Sequence, residues 1–400
     1  MPPRQAQTPK RIVLFRDFAE DRRVSMEVYA DQLVAGVTRE CSEDWQIDPY
    51  VPRIPGAIAA LPIDDHQRLR LARFLGYPWQ ALRRRGDLNH VIDHGYGHLT
   101  LVLGAGRTVV TVHDLIPFLR WKGAIPGVAP DRRHPLVELS LHALKRAGHL
   151  IADSENTKRD IIRHLGCDPD RITVIPLGID PSLKPCRAEE RGGLRDGLGL
   201  PNDGTRLVLS TGSSFYKNGE TSLAVVKNLQ VSCSQPVLLV HLGPITPAWR
   251  RKVASAGMSE RVVELAEVPR MWELYNAVDC LLFPSWYEGL GLPPLEAMAC
   301  GTPAVTSNAG ALPETVGDAA LMAAPDDIRS LAEAVRLMLE DAVARREQIA
   351  KGLCHARKFT WARNTHETLR VYERLLEGGM TNRLRKKPFD ALSGLSNHTL

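Results

Sequence analysis

Twice along this chain, short runs of β-branched and aliphatic residues alternate with longer segments of helical periodicity, and parallel strands joined by crossover helices satisfy such a pattern. In the first half, Arg11–Phe15, Asn89–Asp93, Thr108–Val112, His149–Asp153 and Ile172–Pro176 read as strands, with helices expected over Ser25–Thr38 and Pro135–Ala147. In the second half, the strand runs are Arg206–Thr211, Val237–Leu242, Val262–Leu265, Cys280–Pro284 and Ala304–Ser307. Helical patterns cover Gly219–Leu229, Trp272–Ala277, Pro294–Cys300 and Ile328–Leu339. The expected fold class is α/β, with two Rossmann-like doubly wound domains facing a central cleft. The stretch from Asp180 to Thr205, rich in glycine, proline and charge, lacks periodicity and marks the break between them.

Composition narrows the function classes. With 400 residues, 44% of them apolar, the chain can bury a large core and divide into domains. A net charge of +5 suits an anionic small molecule or a membrane surface and is too small an excess to imply nucleic acid. Seven cysteines, odd in number and without a C-x-x-C pair, suggest neither a disulfide framework nor a zinc site, as expected of a cytoplasmic protein. No apolar run approaches the about 20 residues needed to span a bilayer, so any membrane contact is expected to be peripheral, on the inner face.

Open parallel sheets bind ligands beyond the carboxyl ends of their strands, which directs attention to the polar residues that follow each run. The richest such segment is Phe283-Pro284-Ser285-Trp286-Tyr287-Glu288-Gly289-Leu290-Gly291-Leu292-Pro293-Pro294-Leu295-Glu296. A strand ends, a glycine-bearing turn follows, and a helix opens at a Pro-Pro pair. The turn's backbone N–H groups suit an anionic or polar oxygen, and two carboxylates on either side can accept from paired hydroxyls of an elongated ligand. A second segment, Thr111-Val112-His113-Asp114-Leu115-Ile116-Pro117, also follows a strand and faces the same cleft. A third, Leu209-Ser210-Thr211-Gly212-Ser213-Ser214-Phe215-Tyr216-Lys217, places a lysine where backbone N–H groups and a cation can stabilise a diphosphate.

These segments resemble those of glycosyltransferase family 4, the retaining "glycosyl transferases group 1" of GT-B fold, and the likeness extends from about Arg11 to Glu377. The resemblance implies that Glu288 binds the donor sugar, Glu296 the ribose hydroxyls, and His113 a position near the reacting centre, so that His113 and Glu288 are the catalytic candidates. Gly212, Ser213, Lys217, Gly289, Leu290, Gly291 and Glu296 are the donor-binding candidates. It further implies transfer of a hexose, mannose from GDP-mannose first, to a glycan or lipid-linked saccharide acceptor in polysaccharide assembly. The nucleotide sugar is then a co-substrate, and no metal ion or other cofactor is called for. The expected organisation is an acceptor-side domain (1–185), a linker (186–205), a donor domain (206–358), a helix returning to the first domain (359–377) and a basic, disordered tail (378–400).

Two departures from the family pattern stand out. The loop before Lys217 carries Ser213 and Ser214 where the family usually has an arginine, and the loop after the first strand is charged and bulky, Arg16 to Ser25, where many members have glycines. These departures favour an alternative, a non-catalytic GT-B subunit that binds a nucleotide sugar or scaffolds a partner; His113, Glu288 and Glu296 oppose it. A nucleotide-sugar epimerase or a glucan synthase fits the spacing around Glu288 less well. His94 and His98 leave three readings open: a metal site, acceptor contacts or a structural loop. The basic runs Arg83-Arg84-Arg85 and Arg383-Leu384-Arg385-Lys386-Lys387 read as solvated, or as attractors of anionic lipid.

Overall fold

The computed structural model describes residues 9–40 and 44–385, with side chains as far as 377. Two six-stranded parallel sheets make up its two halves. The first contains β1 (Lys10–Phe15), β2 (Trp45–Tyr50), β3 (Leu88–Val91), β4 (Thr108–Val112), β5 (His149–Ala152) and β6 (Ile172–Val174), in the order β2-β1-β3-β4-β5-β6. The second contains β7 (Arg206–Thr211), β8 (Val237–Leu242), β9 (Val262–Leu265), β10 (Cys280–Phe283), β11 (Ala304–Ser307) and β12 (Leu321–Ala323), in the order β12-β11-β10-β7-β8-β9. Every residue of β3, β4, β10 and β11 is buried, as helices on both faces of a parallel sheet require.

In each sheet the chain leaves its first strand toward one edge and then crosses back. Strand order therefore reverses between β1 and β3 in one half and between β7 and β10 in the other. A parallel sheet opens a crevice at such a reversal because successive crossover helices cover opposite faces. The residues beyond these four strands, Asp17, Asp93, Gly212 to Lys217 and Pro284 to Gly291, are the ones placed at these reversals.

The strand assignments agree with the sequence within one or two residues, except that each sheet has a sixth strand at its edge. Trp45–Tyr50 carries Asp48 and Pro49, which an edge position tolerates, and Leu321–Ala323 is only three residues long. Helices Gly56–Ala59, Asp65–Leu71, Tyr77–Leu82 and Ala342–Ala356 were also not evident from periodicity.

The expected structureless linker, 186–205, is corrected by a helix at Glu190–Gly197. Gly192 and Gly193 give it poor local propensity, and tertiary charge pairing holds it instead. Arg191 and Arg195 each donate to the buried carboxylate of Asp279 at 2.8 Å, and that carboxylate also accepts from Leu207 N at 2.7 Å. Arg191 is the more exposed of the two arginines, so Arg191→Ala is expected to cost about 1.5–2 kcal/mol in urea unfolding, with Arg195 still holding Asp279. A loss below about 0.5 kcal/mol, the range of ordinary surface substitutions, would show that Arg195 alone suffices.

The last helix is Trp361–Arg385, so the backbone of 378–385 is helical rather than disordered as expected; 386–400 lie outside the described residues. This helix packs on the first sheet. The Tyr372 hydroxyl meets His90 Nδ1 at 2.6 Å, while His90 Nε2 meets Thr111 Oγ1 at 2.8 Å. Asn364 Nδ2 donates to Pro176 O at 2.9 Å.

The two halves interlock through the segment after β10. Trp286 and Tyr287 pack against the core of the first half, and Leu290 enters the cluster of Tyr29, Trp361 and Tyr372. Ser154 Oγ donates to Gly289 O at 2.6 Å. From the second half, the Glu314 carboxylate accepts from the backbone N–H groups of Glu155 and Asn156, at 3.0 and 2.7 Å, and so caps the helix Glu155–Asp160 of the first.

Candidate functional site

The residues singled out from the sequence gather where the two strand reversals face each other. Glu288 follows β10 and is buried, and its Oε1 accepts from Lys217 Nζ at 2.8 Å. The lysine's methylenes pass over Gly212, and its ammonium lies 4.6 Å from the ring centroid of Phe283. Glu296 sits on the helix Leu292–Ala299, where it accepts from the Tyr275 hydroxyl at 2.7 Å. Burial raises its carboxyl pKa, as does the nearby charge of Asp180, while the Tyr275 hydrogen bond and Lys217 act the other way. Lys217 thus lies within electrostatic reach of both glutamates.

Gly289 and Gly291 shape the turn for different reasons. A Cβ at Gly289 would stand 2.1 Å from the carbonyl oxygen of His113, so only glycine lets this turn lie against the strand end of the other half. Gly291 has φ +94°, in the left-handed region, and serves as N-cap of the helix carrying Glu296. Of Leu290, the third donor-binding candidate in this turn, the side chain and the carbonyl are engaged within the protein. Its side chain is buried in the core of the first half and its carbonyl accepts from Thr315 Oγ1 at 2.6 Å, which makes it a wedge between the halves. Ser213 Oγ is 3.2 Å from His241 Nε2 and donates to Pro244 O at 3.1 Å, bracing the loop that leads to Lys217. An arginine does meet this loop from the first half: the Arg120 guanidinium stacks 4.0 Å from the centroid of Phe215.

His113 ends β4 with both ring nitrogens occupied. Nε2 is 2.9 Å from Ile92 O and Nδ1 is 2.7 Å from Asp153 Oδ2. A carbonyl only accepts, and a carboxylate only accepts, so both nitrogens carry protons and the ring is an imidazolium. Burial alone would lower its pKa, but the Asp153 charge and hydrogen bond, with Asp93 behind them, push it up to about 9. With both nitrogens engaged inside the protein, the ring has no free N–H to offer a ligand in this arrangement. What His113 presents to the turn at Gly289 is its backbone carbonyl, held in place by the anchored ring.

From the sequence Asp153 reads only as the last residue of the strand run His149–Asp153. It directly follows β5 just as His113 follows β4, and applying the strand-end rule evenly would have found it. The histidine pair divides. His98 is buried between Ser140 Oγ and Arg73 O, each 2.9 Å away, and burial lowers its pKa to about 4; it is structural. His94 instead lines a cavity of about 770 Å³ that runs from the loops after β1 and β3 past Asp114 to Phe215 and Tyr216 of the second half. Among the described residues, no group of three or more histidine, cysteine, aspartate or glutamate side chains is arranged to hold a metal ion.

Three charges of the loop after β1 are paired with residues outside it. Arg16 pairs with Asp31 at 2.7 Å, Arg23 with Asp93, and Asp21 with Arg73. Asp17 is buried beneath them, and burial together with Asp93 pushes its carboxyl up to about 8.

Comparison with known proteins agrees with this geometry. The family described as "Glycosyl transferases group 1" matches residues 205–341, and that described as "Glycosyltransferase Family 4" matches residues 26–183. The O-antigen chain mannosyltransferase B of Escherichia coli is 31% identical over 277 residues, 67% of this chain and 71% of that protein. The serotype-specific mannosyltransferase WbdA of Escherichia coli is 29% identical over 347 residues, 77% of this chain and 40% of that longer protein. Among solved structures, the sucrose-phosphate synthase of Thermosynechococcus elongatus superimposes with a TM-score of 0.72 at 20% identity, covering 92% of this chain and all of that one.

Proposed function

Because this chain belongs to the family 4, group 1 glycosyltransferases and has their GT-B fold, we propose that it moves a hexose from a nucleotide-sugar donor to a glycan or lipid-linked saccharide, with anomeric configuration retained. It is a glycosyltransferase; the donor, the stereochemistry and the acceptor are the proposed part. Mannose from GDP-mannose is the first choice of donor, and polysaccharide assembly the setting, because of the mannosyltransferases it resembles.

The observation that carries this proposal is the Lys217–Glu288 pair, held at 2.8 Å against the Gly289–Gly291 turn with Glu296 on the helix that follows. Glu296 suits the ribose hydroxyls and Glu288 the sugar hydroxyls, since ionised carboxylates only accept. Lys217 and the N–H groups of its loop suit the diphosphate, whose charge grows as the glycosidic bond breaks, and they can stabilise it without a metal ion. His113 acts here by positioning.

A panel of GDP- and UDP-sugars in the presence of EDTA tests this. One nucleotide released slowly in water and faster with acceptor is expected, with the anomeric proton of the product showing retention. Turnover of no donor would sink the proposal, inversion would remove the stereochemical part, and loss of turnover in EDTA the metal-independent part.

We place the enzyme in the cytoplasm, in peripheral contact with the inner face of the membrane. No helix among the described residues is long and apolar enough to cross a bilayer. The segment Ala72–Leu82 exposes Leu75, Trp79 and Leu82 on one face, and Arg83 stacks 3.6 Å from the Trp79 ring centroid beside Arg84 and Arg85. Apolar side chains flanked by arginines suit an anionic lipid surface. Cosedimentation with phosphatidylglycerol-containing vesicles is expected, reduced about five-fold by Trp79→Ala with Arg83→Ala; equal binding to phosphatidylcholine alone would remove the anionic part.

A further inference from the structure

The cavity of about 770 Å³ beside the donor site carries far more positive than negative charge. Five arginines line it, Arg23, Arg70, Arg73, Arg132 and Arg133, against two carboxylates, Asp21 and Asp114. Three of the arginines are already held: Arg23 by Asp93, Arg73 by Asp21 and Arg133 by Glu138, the last at 2.6 Å. Asp114 is turned to its own backbone, its Oδ1 accepting from Ile116 N at 2.8 Å. Arg70 and Arg132 make no ion pair with any described carboxylate, and both are exposed along the wall.

A second feature of the same cavity acts in the same direction. The helix Pro135–Ala143 begins there, and its N-cap residue, His134, makes no side-chain capping hydrogen bond. His134, Pro135, Leu136 and Val137 all line the cavity, so the positive end of the helix and its unmatched N–H groups belong to this wall. A neutral saccharide offers these groups no negative charge, whereas the several oxygens of a phosphate group can accept from exposed arginines and from N–H groups at a helix start.

We propose that the acceptor of this enzyme bears a phosphate group, bound by Arg70, Arg132 and the first turn of the helix Pro135–Ala143. This rests on the glycosyltransferase reading above, because the cavity reaches the donor site through Asp114, next to His113, and through Tyr216, next to Lys217. The two exposed arginines hold the phosphate while the saccharide extends toward the Gly289 turn. The phosphate is either that of a soluble sugar phosphate or the headgroup of a lipid carrier, which present the same chemistry to these side chains.

The test uses the full chain with GDP, or whichever nucleotide the donor panel selects, saturating the donor site. Calorimetric binding is then compared for mannose 6-phosphate against mannose, and for a short-chain polyprenyl phosphate in detergent against the corresponding alcohol. The expected result is at least about ten-fold tighter binding of one or both phosphorylated probes. That preference should fall at least five-fold in Arg70→Ala with Arg132→Ala, and less in Arg70→Lys with Arg132→Lys. Preference for mannose 6-phosphate assigns the site to a soluble acceptor, and preference for the polyprenyl phosphate alone to a carrier headgroup. Equal binding of both phosphorylated probes and their neutral partners, or an unchanged preference in the alanine pair, overturns the proposal. Nucleotide binding and slow donor hydrolysis, read in the same samples, are expected to be unaffected by these substitutions. Their absence in the unsubstituted protein would count against the donor reading instead and is seen separately.

Discussion

Glu288→Gln is expected to lower kcat/KM for transfer by about 10²–10³-fold, and Lys217→Ala by a similar factor. The amide keeps the shape of Glu288 but removes the charge that makes it a pure acceptor. The alanine removes the cation that meets the departing diphosphate. Both side chains are largely shielded, 16% exposed for Lys217 and 8% for Glu288, so either single change also leaves a poorly compensated charge, at a cost of up to about 3 kcal/mol. Activity and stability can be separated in the double variant Lys217→Met with Glu288→Gln. Removing both charges should restore most of the lost stability in thermal or urea unfolding while turnover stays at the level of the singles, since the two groups act on one ligand and their effects are not additive. If either single variant keeps transfer within ten-fold of the parent, the ion pair is structural and the donor lies elsewhere. Recovery of both stability and turnover in the double variant would lead to the same conclusion.

The turn between these residues shows which parts of the site could be foreseen. Glu288, Glu296, Lys217 and the two glycines of the turn lie in the segments that follow strand ends, and those ends are legible because β10 is an unbroken apolar run and β7 has Leu207-Val208-Leu209 at its centre. The part that was not legible depends on contacts between distant segments. Leu290 looks like any residue of a ligand loop, yet burial against Tyr29 and Trp361 makes it an interdomain wedge. The helix Glu190–Gly197 is hidden by Gly192 and Gly193, because the charge of Asp279, 84 residues beyond Arg195, is what holds it. Arg70 and Arg132 lie in segments without strong periodicity, and only the folded chain brings them to one wall. Sequence pattern reports the period of a segment and the residues at its ends; it does not report which remote charge or core accepts the side chain.

Stability is expected to fall on the alkaline side of neutrality because of His113 and of Asp17, whose buried carboxyl, raised to about 8, loses its contribution as pH rises through that value. An exposed histidine in the unfolded chain titrates near 6.5, whereas the folded ring, held by Asp153, titrates at about 9. A raised folded pKa means that the stabilisation is fully present below about pH 6.5 and is lost as pH rises through about 9, for a total of about 3 kcal/mol. Four other histidines act in the opposite sense. Burial lowers His90 to about 3 and His98, His149 and His241 to about 4, so their contributions are present above about pH 6.5 and disappear as pH falls toward those values. Urea unfolding across pH should therefore show a maximum between about 6.5 and 7 with a decline on either side. Asp153→Asn should destabilise the protein by about 3–5 kcal/mol at pH 7, since it leaves the buried imidazole without its counter-charge, and should flatten the decline between pH 7 and 9. The same substitution frees the ring that anchors the His113 carbonyl against Gly289, so the donor KM should rise at a pH where the variant is still folded. A decline between pH 7 and 9 that is the same in the parent and in Asp153→Asn would mean that it belongs to Asp17 alone and that the His113 ring is neutral there, and the positioning role drawn from its two donated hydrogen bonds would fail with it.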